Sequence, residues 1–158
     1  MVALASMVFA PTTLGNTETI TVTLTPAATA NITIDKSTWE PGCGIGETNQ
    51  TATDWGTCMN DGSVAVNVTV NITADVGTVW TVSADATPGH DEPAFAIYDN
   101  EMPPADWELL STTQSEFATN IAYDSEQTFG LNVSMPPSTS TNVDQTFTIT
   151  FVATPYGS

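Results

Sequence analysis

The one histidine, His90, sits in TPGHDEPA beside two carboxylates, a setting in which an imidazole can act as a general base. A Ser or Cys nucleophile needs such a base, and Lys36 is the only lysine that could substitute for it. No G-x-S-x-G elbow, P-loop, G-x-G-x-x-G turn or H-E-x-x-H pair accompanies them. GCGIG at 42–46 has the glycines of a phosphate loop without the following Lys and helix, so it reads as a turn. His90 is therefore expected to be a solvated loop residue, and the chain is expected not to be an enzyme. A glycosidase-type carboxylate pair depends on separation in space, and the sequence has no arginine to hold a sugar.

Three other groups have chemical potential. Asp85, Asp91, Glu92, Asp99, Asn100, Glu101 and Asp106 concentrate hard oxygen ligands in one loop-rich region, which makes calcium the only ion to entertain. They lack EF-hand spacing, and solvated acidic loops are the default; no other cofactor is expected. Cys43 and Cys58 lie in a Gly/Thr/Asn-rich stretch without a CxxC or Cys/His cluster. A disulfide between them is expected, closing a loop worth roughly 3 kcal/mol in the chain-entropy model. Asn31, Asn49, Asn67, Asn71 and Asn132 each begin an N-x-Ser/Thr triplet with a non-proline centre, the acceptor pattern for N-linked glycans. Trp39, Trp55, Trp80 and Trp107 are scattered, with Trp80 in an apolar run and Trp55 and Trp107 in loops. Exposed tryptophans stack on sugar faces, so a secreted carbohydrate-binding or adhesive module, with surface glycans as its partners, is the alternative reading.

The elements that must position these residues are strands. Threonine is the commonest residue, and Val and Ile are frequent; β-branched side chains suit a pleated surface and lose rotamer freedom in a helix. Period-two alternation recurs in ETITVTLT (Ile20, Val22, Leu24 on one side), NITID (Ile32, Ile34) and SVAVNVTVNIT (Val64, Val66, Val68, Val70, Ile72). It recurs again in TVWTVSA (Trp80, Val82), AFAIY (Phe95, Ile97), TFGLNVSM (Phe129, Leu131, Val133, Met135) and TFTITFVAT (Phe147, Ile149, Phe151). Seven such segments between Pro, Gly, Asn and Asp clusters predict one all-β domain, an antiparallel β-sandwich over residues 18–158 with the cysteine loop near 40–61. The best helical candidate is 104–120, with one short turn around Asp106–Leu110. Asn31, Asn67, Asn71 and Asn132 fall on the wet faces of these strands, opposite the apolar stripes, and Asn49 falls in the cysteine loop.

Charge narrows the partners. Eighteen acids face a single Lys36, for a net charge of −17. Nucleic-acid binding needs several cations against phosphates, and docking on anionic lipid needs a basic face; both are excluded. Residues 1–17 form an apolar N-terminal arm, either a signal remnant or a retained segment, too short to span a bilayer. A Thr- and Val-rich edge without lysine is a template for another strand, and the first alternating segment could complete a neighbour's sheet. Repeated head to tail, that contact makes an open homopolymer.

The signal-like start, the opening TETITVTLTPAATANITID and the closing LNVSMPPSTSTNVDQTFTITFVATP together resemble archaeal extracellular filament subunits of the donor-strand type, such as bundling-pilus and TasA-like fibre proteins. The resemblance covers the two ends, and the cysteine loop has no counterpart in it. It implies a jelly-roll or Ig-like sandwich, secretion to the cell surface, strand exchange between subunits through Ile20, Val22 and Leu24, and frequent glycosylation.

Overall fold

A computed structural model of the chain describes Leu24, residues 27–99 and residues 106–157. The alternating segments become strands because each can bury one face and wet the other. The strands are β1 (Ile32–Ile34), β2 (Thr48–Gln50), β3 (Gly56–Asn60), β4 (Val66–Ala74), β5 (Ala94–Asp99), β6 (Trp107–Leu110), β7 (Ser115–Ile121), β8 (Glu126–Ser134) and β9 (Phe147–Pro155). One antiparallel sheet runs β1-β3-β8-β5-β6, with β2 added beside β8; the other runs β7-β4-β9. There is no helix among the described residues. The fold is an all-β, sandwich-like single domain, as the alternation predicts.

The core forms where the two inward stripes meet. Val66, Val68, Val70 and Ile72 of β4 are at most 1% exposed, and they face Phe129, Leu131 and Ile97 of the larger sheet. Phe117 stands edge-on to Phe129 and Phe151, at 6.1 and 5.3 Å between ring centres, the geometry that aromatic quadrupoles favour. Asn60 is wholly buried yet satisfied. Its Nδ2 donates to the Val64 and Ile121 carbonyls at 2.9 and 2.8 Å, and its Oδ1 accepts from Gly62 N–H at 3.1 Å. Gly62 leaves no room for a side chain there, because an added Cβ would lie 2.3 Å from the Thr29 carbonyl oxygen.

The structure departs from the sequence reading in three places. Residues 78–84 are not a strand; Thr81 N–H and Ser83 N–H bond the carbonyls of Asp91 and Pro93, without a ladder. Trp107–Leu110 is not a helical turn but β6, paired residue by residue with Tyr98–Phe95. One helical turn fixes several residues for one hydrogen bond, whereas β5 offers this short segment a whole edge. The cysteines are both free thiols. Cys58 points into the core from β3, at 0% exposure, while Cys43 is half-buried in the 36–45 loop. The expected segment carrying Ile20 and Val22 lies outside the described residues; Leu24 is described, and is 85% exposed.

Candidate functional site

The sandwich is not sealed along its whole length. β4 and β9 are neighbours in one sheet, in register from Val66↔Pro155 to Ala74↔Phe147. The inward side chains of β4 are completely covered, whereas Phe147, Ile149 and Phe151 of β9, at the same alternate spacing, are only half-buried. Among the described strands, β9 pairs with β4 alone. Beside it a groove of about 1250 Å³ opens between the sheets, which exceeds the roughly 300–1,000 Å³ usual for a small-molecule pocket.

The groove is walled by strands, with an apolar wall and a largely polar rim. Phe147, Ile149 and Phe151 form one wall, and Ile32 and Ile34 of β1 contribute to its lining; Phe129, Leu131 and Val133 of β8 also face it. Trp39 and Trp55 close part of the lining, 6.4 Å apart between ring centres, with Trp55 edge-on to Phe129 at 6.1 Å. Lys36 lies over the Trp55 ring at 5.9 Å and pairs with Asp35 at 3.0 Å, so the one basic side chain sits at the groove's lip. Ile45 and Val143, from the 36–45 and 139–146 loops, both line the groove and remain 45% and 71% exposed.

The loops that bound the groove are tied by hydrogen bonds. Gln145 Oε1 accepts from Val79 N–H and Trp80 N–H at 2.6 and 3.2 Å, and Thr148 Oγ1 donates to Asp75 Oδ1 at 2.7 Å, fixing the start of β9. Trp80 Nε1 donates to Thr139 Oγ1 at 2.9 Å. Asp91 accepts from Ser140 N–H and Oγ, and these bonds hold its carboxyl below the usual range.

The other sequence candidates are placed apart from the groove or used structurally. His90 Nδ1 lies 2.9 Å from Ser138 Oγ and its Nε2 lies 3.4 Å from Asp91 Oδ2, a Ser–His–Asp contact that the sequence reading missed. Its imidazole is 61% exposed, and a triad works where water is excluded and oxyanion donors are fixed; here the contact clasps the 89–92 turn to the 138–140 loop. The described aspartates considered for calcium each have a local partner. Asp85 accepts from Thr87 N–H, Asp99 from Gln127 Nε2 and Asp106 from Trp107 N–H. Among the described residues no three His, Cys, Asp or Glu side chains form a metal-holding group. Asn100 and Glu101 lie outside the described residues.

Cys43 lines the groove, and Cys58 does not. Burial pushes the Cys58 thiol up to about 11, and burial together with the Glu47 carboxylate raises Cys43. Four sequon asparagines point outward. Asn31 Nδ2 donates to Asp61 Oδ1 at 2.7 Å. Asn67 Oδ1 accepts from Asn120 N–H at 3.0 Å, where Asn120 takes a left-handed φ of 54° at a bulge between β4 and β7. Asn71 lies two strand repeats further along β4, and Asn132 Nδ2 donates to Gln50 Oε1 at 3.2 Å. Asn49 differs: it lies in β2 opposite Val133 and shares that residue's inward side.

No helix among the described residues is long and apolar enough to cross a membrane. No protein-family model, curated protein or solved structure matches the chain.

Proposed function

We propose that this protein is a non-enzymatic structural subunit of an extracellular filament, pilus or cell-surface lattice. Subunits join when the N-terminal segment around Ile20, Val22 and Leu24 of one copy enters the groove beside β9 of the next. The observation that carries the reading is the contrast within one sheet, where the inward residues of β4 are covered and those of β9 are not. A strand laid along β9 would cover Phe147, Ile149 and Phe151 and add backbone hydrogen bonds beside them.

The proposed donor matches the apolar stripe of β9 in length and pattern. Nine residues of β9 extend about 30 Å at ~3.3 Å per residue, and Glu18–Pro26 is the same length. Its apolar residues recur every second position, as do those of the groove wall. Leu24 stands in solvent at 85% exposure, ahead of a small-residue link, PAATA at 26–30, which can carry the segment away from its own body. Because donor and groove are different surfaces of one chain, the contact is head to tail and propagates into an open polymer. The N-x-Ser/Thr triplets on outward faces suit a secreted, glycan-bearing surface protein.

Deleting residues 1–25 tests the proposal: the remaining sandwich should stay soluble and stop polymerising. Filaments formed by the shortened chain would show that this segment is not the donor. The carbohydrate-binding alternative keeps one specific support, Trp107 on the outer face of the larger sheet, since Trp39 and Trp55 belong to the groove and Trp80 to the core.

A further inference from the structure

The outer face of the larger sheet carries a second concavity, a trough of about 230 Å³, independent of the groove and of strand donation. Its floor is made of small residues, Ala94 and Ala96 of β5, with Ala86 at one end. One side is Trp107 and Leu109 of β6; the other is Asn132 and Ser134 of β8. The registers explain the shape. Ala96 stands between Leu109 and Asn132, and Ala94 stands beside Ser134, so two alanines separate larger side chains across two inter-strand spacings, about 10 Å. Trp107 is braced edge-on by Tyr98, 5.5 Å away between ring centres.

Asn132 and Ser134 are the first and third residues of an N-x-Ser triplet, and both face the trough. We propose that the trough is the seat of the N-linked glycan of Asn132, with the first pyranose ring lying on the alanine floor against Trp107 and Leu109. The sugar's apolar face would meet the indole, and its hydroxyls would reach the amides and hydroxyls along β8 and β2. In the transfer, Asn132 Nδ2 bonds the anomeric carbon of a glycosyl diphosphate donor, the carbon–oxygen bond to phosphate breaks, and the diphosphate leaves with the electron pair while Nδ2 gives up one proton. The linked amide keeps its second N–H, so the bond to Gln50 Oε1 at 3.2 Å survives and aims the linkage along the sheet. Ser134 Oγ, 3.0 Å from Thr48 Oγ1, stays beside it. Other outward sequons lack this setting: Asn67 and Asn71 lie opposite Thr154 and Thr150 of β9, with no aromatic beside them in register.

The experiment uses the full chain secreted from a host that N-glycosylates, with its glycans trimmed to a single N-acetylglucosamine. Mass spectrometry should find Asn132 occupied, and the trimmed protein should melt about 2–4 °C above a Ser134→Ala protein that lacks this one glycan, once the shift that Ser134→Ala causes in protein from a host without N-glycosylation, which reads the lost Thr48 bond alone, has been subtracted. That difference should vanish when Trp107→Ala is added to both, with Asn132 occupancy unchanged. Ala96→Leu, which fills the floor and leaves Trp107 in place, should abolish it equally and covers the case in which Trp107→Ala does not fold. An unmodified Asn132 beside occupied sequons elsewhere, or a difference that persists with the trough filled, would overturn the proposal. So would equal protection of the Ser134→Ala protein by free N-acetylglucosamine, which would make the trough a site for soluble saccharide instead.

Discussion

Shortening Leu24 to alanine should leave the subunit's own fold untouched and weaken the junction between subunits. In the isolated chain Leu24 is 85% exposed, so nearly all its apolar surface is already in water and little folding stability can be lost with it. In the proposed junction the same side chain moves against the apolar wall of the groove, and full burial of a leucine contributes about 1.5–3 kcal/mol. At 1.4 kcal/mol per tenfold, losing most of that raises the junction's dissociation constant roughly 10- to 100-fold. A head-to-tail polymer has one such junction per subunit, so its critical concentration should rise by the same factor. Pelleting or light scattering across a concentration series reads that shift, and thermal melting below the critical concentration should differ from the parent by less than about 1 °C. An unchanged critical concentration would refute the reasoning. A lowered melting temperature in the monomer would refute it differently, by placing Leu24 against its own subunit.

Asn60→Ala should destabilise the domain by about 2–3 kcal/mol, since it strands the buried Val64 and Ile121 carbonyls and the Gly62 N–H; a melting temperature about 5–10 °C lower would be seen by calorimetry. Iodoacetamide at about pH 8 should label Cys43 in the subunit but spare Cys58, whose thiol titrates near 11, until the protein unfolds, and assembly should slow the labelling of Cys43 because it lines the groove. The lowered Asp91 carboxyl favours its ionised form in the folded protein. Its contribution is complete above the ordinary value of 3.8 and is lost as pH falls through the lower folded value. Melting curves between about pH 2 and 6 should show a smaller acid loss for Asp91→Asn than for the parent.

Much of the fold was legible because period-two alternation is a direct record of one wet and one dry face. β4, β5, β8 and β9 coincide with the runs that carry it. β2 and β7 were not, since TNQ is polar throughout and SEFATNI has its rhythm broken by the bulge at Asn120. Trp107–Leu110 looked like a helical turn because four residues with two leucines carry no decisive period; only the presence of β5 beside them decides it. TVWTVSA alternates, but Gly77 at φ 93° turns the chain out of the sheet and leaves Trp80 to be held by Gln145 and Thr139. The cysteines were read from spacing, which is blind to direction: strand pleat turns Cys58 inward, while Cys43 sits on the lip of the groove. The groove itself could not be read locally. TFTITFVAT has the same pattern as SVAVNVTVNIT, and only the sheet order shows that, among the described strands, β4 is flanked on both sides and β9 on one. A Ser–His–Asp contact was equally invisible, since His90 and Ser138 meet across the ends of two loops.

Electron cryomicroscopy of assembled full-length protein tests the central claim most directly. A filament is expected in which residues 18–25 of each subunit lie as an added strand along β9 of the next, with Ile20, Val22 and Leu24 against Phe147, Ile149 and Phe151. A filament whose grooves stand empty, a segment folded back into its own groove, or a chain that stays single at high concentration would contradict it.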